Sequence, residues 1–94
     1  MKKISKNDLE LLKDLLNRLI EAKKKDEHFL GLCGFINKHF KHVPDYSRLL
    51  RIIRDSEPKG WYYVCFIQDG GYYWKAGDIN PRIKFVKKLI KKYS

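Results

Sequence analysis

Leu9, Leu12, Leu16 and Leu19 recur along the chain at the spacing of one helical face, flanked by Leu11, Leu15 and Ile20. Ser5 and Asp8 before them form a capping-box pattern, and Ile4 with Leu9 sits where a hydrophobic staple closes the first turn. Glu10 and Lys13 occupy the polar side, as do Asp14 and Arg18, the latter two as an i,i+4 pair. The pattern predicts a helix from Ser5 to about Lys24. Asp26 then reads as the cap of a second helix, with Phe29, Leu32, Cys33, Ile36 and Phe40 as its apolar face. Gly31 and Gly34 lie inside that helix, and their spacing suggests a close approach by another element or a ligand, with tight helix packing the better account.

Pro44 fits the first turn of a third helix, where its missing N–H costs nothing. Tyr46, Leu49, Leu50 and Ile53 form its buried stripe, and Arg48, Arg51 and Arg54 fan across the outer face. Beyond the loop residues Glu57, Pro58, Lys59 and Gly60, the period changes. Trp61 to Ile67 is an unbroken apolar and aromatic run that reads as a strand. Gln68 to Gly71 would turn the chain and Tyr72 to Lys75 would return it as a hairpin. Asn80–Pro81 then reads as cap and first residue of a last helix that buries Ile83, Val86, Leu89, Ile90 and Tyr93. The expectation is an α+β fold: three helices, a β-hairpin and a C-terminal helix, in a single domain spanning residues 1–94.

Charge changes this picture more than composition does. The chain carries 21 Lys and Arg against 11 Asp and Glu, a formal net charge of +10. Residues 1–27 hold eight bases and six acids, whereas the last sixteen hold six bases and no acid. The positive field therefore gathers at the C-terminal end, which favours anionic partners. No apolar run approaches the ~18 residues that a membrane span needs, and no signal core follows Lys2 and Lys3. A cytoplasmic protein with Cys33 and Cys65 reduced is the expectation.

Catalytic chemistry finds little to stand on. The chain has no Gly-x-Ser-x-Gly, no phosphate-binding P-loop and no paired carboxylates at a plausible site. Cys33, Cys65, His28, His39 and His42 lack the spacing of a metal site, so neither metal nor cofactor is expected. The stretch from Tyr72 to Arg82 is richer. Tyr73 and Trp74 offer stacking faces, and Lys75 and Arg82 bring cations beside a predicted helix start. That is equipment for a nucleotide or a single strand, although residue by residue a small core explains it too. Arg48 and Arg51, with Arg54, are further candidate phosphate contacts, because guanidinium forks match phosphate oxygens. Lys84, Lys87, Lys88, Lys91 and Lys92 on the last helix suit a phosphate backbone or plain solvation. A membrane surface fits least, because the apolar face is needed for the core, and no membrane partner is expected.

The segment Tyr73-Trp74-Lys75-Ala76-Gly77-Asp78, followed by Pro81-Arg82-Ile83-Lys84-Phe85-Val86 and Leu89-Ile90, resembles a signature of small uncharacterised accessory proteins of tailed bacteriophages. In that group a Trp and a Gly-Asp turn lead into an Arg-Ile-x-Phe-Leu helix; Val86 stands here at the usual Leu. Gly31-Leu32-Cys33 is similar to a segment nearer their N-termini. The resemblance covers about a quarter of the chain. It implies a phage accessory protein in the host cytoplasm, of a kind that often antagonises host defence.

Together these readings favour a non-enzymatic protein that sequesters a small anionic, nucleotide-like ligand, with Tyr73, Trp74, Lys75, Arg82, Arg48 and Arg51 as contacts. Nucleic-acid binding along the basic C-terminal helix is the first alternative, and docking on an acidic host protein the second. A chain this short has little interior for a deep pocket, and Trp61–Ile67 exposes more apolar surface than one hairpin can bury. A homo-oligomer with its ligand site at a subunit interface is therefore expected.

Overall fold

Ser5 begins the first helix as its sequence suggests: its side chain accepts a 3.1 Å hydrogen bond from the Asp8 N–H. The Asp8 carboxylate, which a capping box would turn back on Ser5, instead lies 3.8 Å from Arg48 Nε. In the computed structural model, which describes residues 4–27, 31–56 and 76–94, four helices follow in order. They are α1 (Lys6–Lys24), α2 (Gly31–His39), α3 (Val43–Ser56) and α4 (Ala76–Tyr93).

Every element among the described residues is helical, and this corrects the α+β expectation. The hairpin segments Trp61–Ile67 and Tyr72–Lys75 lie outside the described residues, and so does the interface argument built on them. The last helix also starts earlier than Asn80–Pro81 suggests. It begins at Ala76 and carries Pro81 in its interior, so the Gly77 carbonyl lacks its usual i+4 donor. Burial of Ile79 offsets that cost. Its side chain is 1% exposed, one turn before Ile83 on the same face. Full burial of a side chain that size contributes about 1.5–3 kcal/mol, comparable to the proline penalty of about 3 kcal/mol.

A second correction concerns Asp26. It does not cap α2; it ends α1. Its φ of 53° is left-handed, the Glu27 N–H donates to Ala22 O at 3.0 Å, and the Asp26 N–H donates to Lys23 O at 3.2 Å. That pair of bonds is a Schellman closure, which satisfies carbonyls that the last turn of a helix leaves open. Asp tolerates the left-handed region better than most residues but still carries a Cβ penalty there.

The core is one apolar cluster. α1 contributes Leu12, Leu15, Leu19 and Ala22; α2 and its end give Leu32, Phe35, Ile36 and Phe40; α3 gives Leu49, Ile52 and Ile53. α4 contributes Ile79, Ile83, Val86 and Leu89. The α1 stripe is thus rotated from its expected centre, with Leu15 buried and Leu9 and Leu16 at the margin. Phe35 and Ile52 are core residues outside the expected stripes, while Tyr46, Leu50, Ile90 and Tyr93 are only partly buried. The side chain of Cys33 is outside the described set.

The most extensive contact is between α1 and α4, which run antiparallel. Tyr93 shares a groove with Ile4 and Ser5 at one end, while Asn80 and Lys84 share one with Ile20 and Lys23 at the other. No helix among the described residues is long and apolar enough to cross a membrane.

Two substitutions test these helix ends. Asn80→Ala should stabilise the protein by about 0.5 kcal/mol, because Ala is the better interior residue. Were Asn80 an N-cap, the same change would cost about 1 kcal/mol, so the sign in urea denaturation decides. Asp26→Gly should raise stability by about 0.5–1 kcal/mol by removing the left-handed penalty; a loss would contradict the Schellman assignment.

Candidate functional site

Charged side chains on this scaffold fall into three groups with different surroundings. The first lies where the end of α1 meets the end of α2. Arg18 Nε donates to Asp14 Oδ1 at 3.2 Å, and Arg18 Nη1 donates to the His39 carbonyl at 3.1 Å. The guanidinium carbon also sits 4.8 Å from the centre of the Phe40 ring. Glu27 Oε2 lies 3.2 Å from His39 Nε2 and 3.5 Å from Lys38 Nζ, and the His39 ring stacks on Phe35 at 4.2 Å.

These contacts border a groove of about 300 Å³ that includes Asp14, Arg18, Glu21, Lys25, Glu27 and His39. Three carboxylates face two permanent cations there, and Arg18 is already engaged on three sides. An anion gains little from such a neutralised network. The cluster ties α2 to α1. It is structural.

The second group lies between the C-terminal half of α1 and the N-terminal half of α4. A groove of about 460 Å³ is lined by Lys23, Asn80, Lys84 and Lys87, with Ile20 and Ile83 as its apolar floor. Asn80, Ile83, Lys84 and Lys87 are spaced i, i+3, i+4, i+7, so they form one face of α4. The adjoining α1 face adds Ile20 and Lys23, three apart. All three lysines are exposed, and among the described residues no carboxylate lines the groove. Among the described residues, none of these lysines has an ion-pair partner, in contrast to Lys24, which pairs with Glu21 at 3.8 Å. The cations stay hydrated and uncommitted.

The third group is the arginine row of α3. Arg48 is half committed, since its Nε faces Asp8 at 3.8 Å. Arg51 and Arg54 are exposed and share a groove of about 300 Å³ with Ser47 and Leu50. Arg51 also borders a second groove, beside Ile4, Asp8, Asp55 and Tyr93.

The expected cluster around Trp74 is only partly open to description. Tyr73, Trp74 and Lys75 lie outside the described residues. Arg82 is half-buried on α4 and already holds a partner of its own. It is not at a helix start. With α4 beginning at Ala76, Arg82 lies six residues on, about 9 Å along the axis at 1.5 Å per residue. The first-turn N–H groups expected to join it on a phosphate are therefore elsewhere.

Lys23 and Asn80 were not expected at any site. The 80/83/84/87 spacing was legible, but its union with Lys23 depends on how α1 and α4 pair. Among the described residues no three His, Cys, Asp or Glu side chains gather as metal ligands. Cys65 and His28 fall outside that set. Comparison with known proteins finds no family model, no curated sequence and no solved structure that matches the chain.

The division between structural and available charges can be measured. Arg18→Ala should cost about 1–2 kcal/mol of stability in urea denaturation, through the lost charge-assisted bond, partly buried stem and ring contact. Arg18→Lys should recover only part of it, because an ammonium cannot serve Asp14 and the His39 carbonyl with one planar fork. Full recovery by Lys would reduce the contact to simple charge pairing.

Proposed function

We propose that this protein binds the phosphate backbone of nucleic acid through the α1–α4 groove, without reading sequence. The observation that carries this reading is the meeting of Lys23, Lys84 and Lys87, from two helices, in one groove with no carboxylate among its described lining residues. Ammonium groups are point charges on flexible stems, suited to successive phosphates and undemanding of angle. Lys88 and Lys91 extend the exposed cationic surface along α4. Asn80 adds a neutral donor and acceptor for phosphate or sugar oxygens.

The groove is open, and Ile20 and Ile83, its apolar floor among the described residues, are aliphatic and offer no aromatic face on which a base could stack. Contact with the backbone of a duplex fits it better than capture of one nucleotide. Of the contacts proposed for a small nucleotide-like ligand, Tyr73, Trp74 and Lys75 lie outside the described residues, and Arg82 is already engaged. A phage origin and a role against host defence rest on the C-terminal resemblance alone, and the groove favours neither.

The test is the salt dependence of binding to a short duplex, followed by fluorescence anisotropy. Lys84→Ala/Lys87→Ala should weaken binding roughly tenfold at low salt and flatten the log K against log salt slope by about 0.9 per lysine. Random-sequence duplexes should bind alike. An unchanged slope in a folded double variant would remove the groove from the interface.

A further inference from the structure

Arg51 and Arg54 differ from the lysines in chemistry as well as place. They project from α3, with Ser47 one turn before Arg51, so that residues 47, 51 and 54 are spaced i, i+4, i+7 on one helix face. All three line one groove of about 300 Å³, with Leu50 as its apolar flank. Arg48, the next arginine of the row, is drawn off by Asp8 at 3.8 Å. No carboxylate among the described residues comes within ion-pair distance of Arg51 or Arg54. Asp8 and Asp55 border Arg51 in a second groove, but Asp8 lies against Arg48 and Asp55 has a partner of its own. Two guanidinium forks and one hydroxyl are therefore exposed together, uncommitted among the described residues.

We propose that this groove is a second anion site, selective for a phosphate monoester. A monoester carries a charge of about −1.5 to −2 at neutral pH and three terminal acceptor oxygens. A backbone diester carries a single charge and two. Paired planar forks match the first better, because each can donate two parallel hydrogen bonds to adjacent oxygens. The Ser47 hydroxyl can donate to an oxygen lone pair that the forks leave open. Lysines of the α1–α4 groove make no such distinction, so the two sites divide the work between chain and end. Two sources present this chemistry: the 5′-terminal phosphate of a nucleic acid and a free nucleoside monophosphate.

The experiment compares a short duplex bearing 5′-phosphates with the same duplex bearing 5′-hydroxyls, and titrates adenosine monophosphate separately by ¹⁵N NMR. The phosphorylated duplex should bind about tenfold tighter than its hydroxyl twin. Arg51→Gln/Arg54→Gln should erase that ratio while its circular dichroism melt stays that of the wild type. Lys84→Ala/Lys87→Ala should weaken both duplexes equally and keep the ratio, which separates this proposal from the one for the lysine groove. Amide shifts confined to residues 47–54 with adenosine monophosphate would identify free nucleotide as a ligand. A phosphate-dependent ratio without those shifts would identify nucleic-acid ends. Equal affinity for the two duplexes together with no shift on adding adenosine monophosphate would overturn the site.

Discussion

Antiparallel packing of α1 on α4 is the contact on which the rest of this structure depends. Leu12, Leu15, Leu19 and Ala22 on one side, and Ile79, Ile83, Val86 and Leu89 on the other, are all buried in a single cluster. Each large side chain among them contributes about 1.5–3 kcal/mol through the water it leaves. The contact also fixes the charges. Once Ile83 and Val86 face the core, Lys84, Lys87, Lys88 and Lys91 have only solvent to face, and antiparallel pairing brings Lys23 alongside the first two. A parallel pairing would put the N-terminal half of α1, with Asp8 and Glu10, beside those lysines. The basic groove thus follows from the direction of the core helices.

The same packing explains why not all the charge is available. Where helix ends meet, charges are spent on joining them: Arg18 on Asp14, Phe40 and the His39 carbonyl; Glu27 on His39 and Lys38; Asp8 on Arg48. These contacts are partly exposed and individually modest. The groups left without such duties, Lys23, Lys84, Lys87, Arg51 and Arg54, are the ones that a phosphate can recruit at no cost in folding contacts.

Some of this was legible along the chain. The Ser5 cap, the Asp14–Arg18 pair and the basic last helix can be read locally, because each depends on residues within a turn or two. The α1 and α3 periodicity was legible too, but not the buried face, since Leu15 and Ile52 are in the core while Leu16 and Leu50 are only partly buried. Two helix ends were misread because the same residue type serves opposite purposes. Asp is a good N-cap and also a tolerable left-handed terminator, and the φ of Asp26 with the Glu27-to-Ala22 and Asp26-to-Lys23 bonds shows which role it takes. Asn–Pro is a strong start signal, yet burial of Ile79 carries α4 through it. Tertiary pairs such as Arg48 with Asp8, or Lys23 with the α4 lysines, have no local signature. The site expected around Trp74 and Arg82 leaned on a helix start that lies elsewhere, at Ala76.

The most direct measurement is a ¹⁵N–¹H correlation titration of the whole protein with an unphosphorylated duplex of about ten base pairs at low salt. Amide shifts should concentrate at residues 20–24 of α1 and 80–88 of α4, fade together as salt rises, and spare Asp14, Arg18 and His39. Shifts centred on the Arg18–Glu27–His39 groove, or shifts that persist undiminished at high salt, would contradict the assignment of the lysine groove as the binding surface.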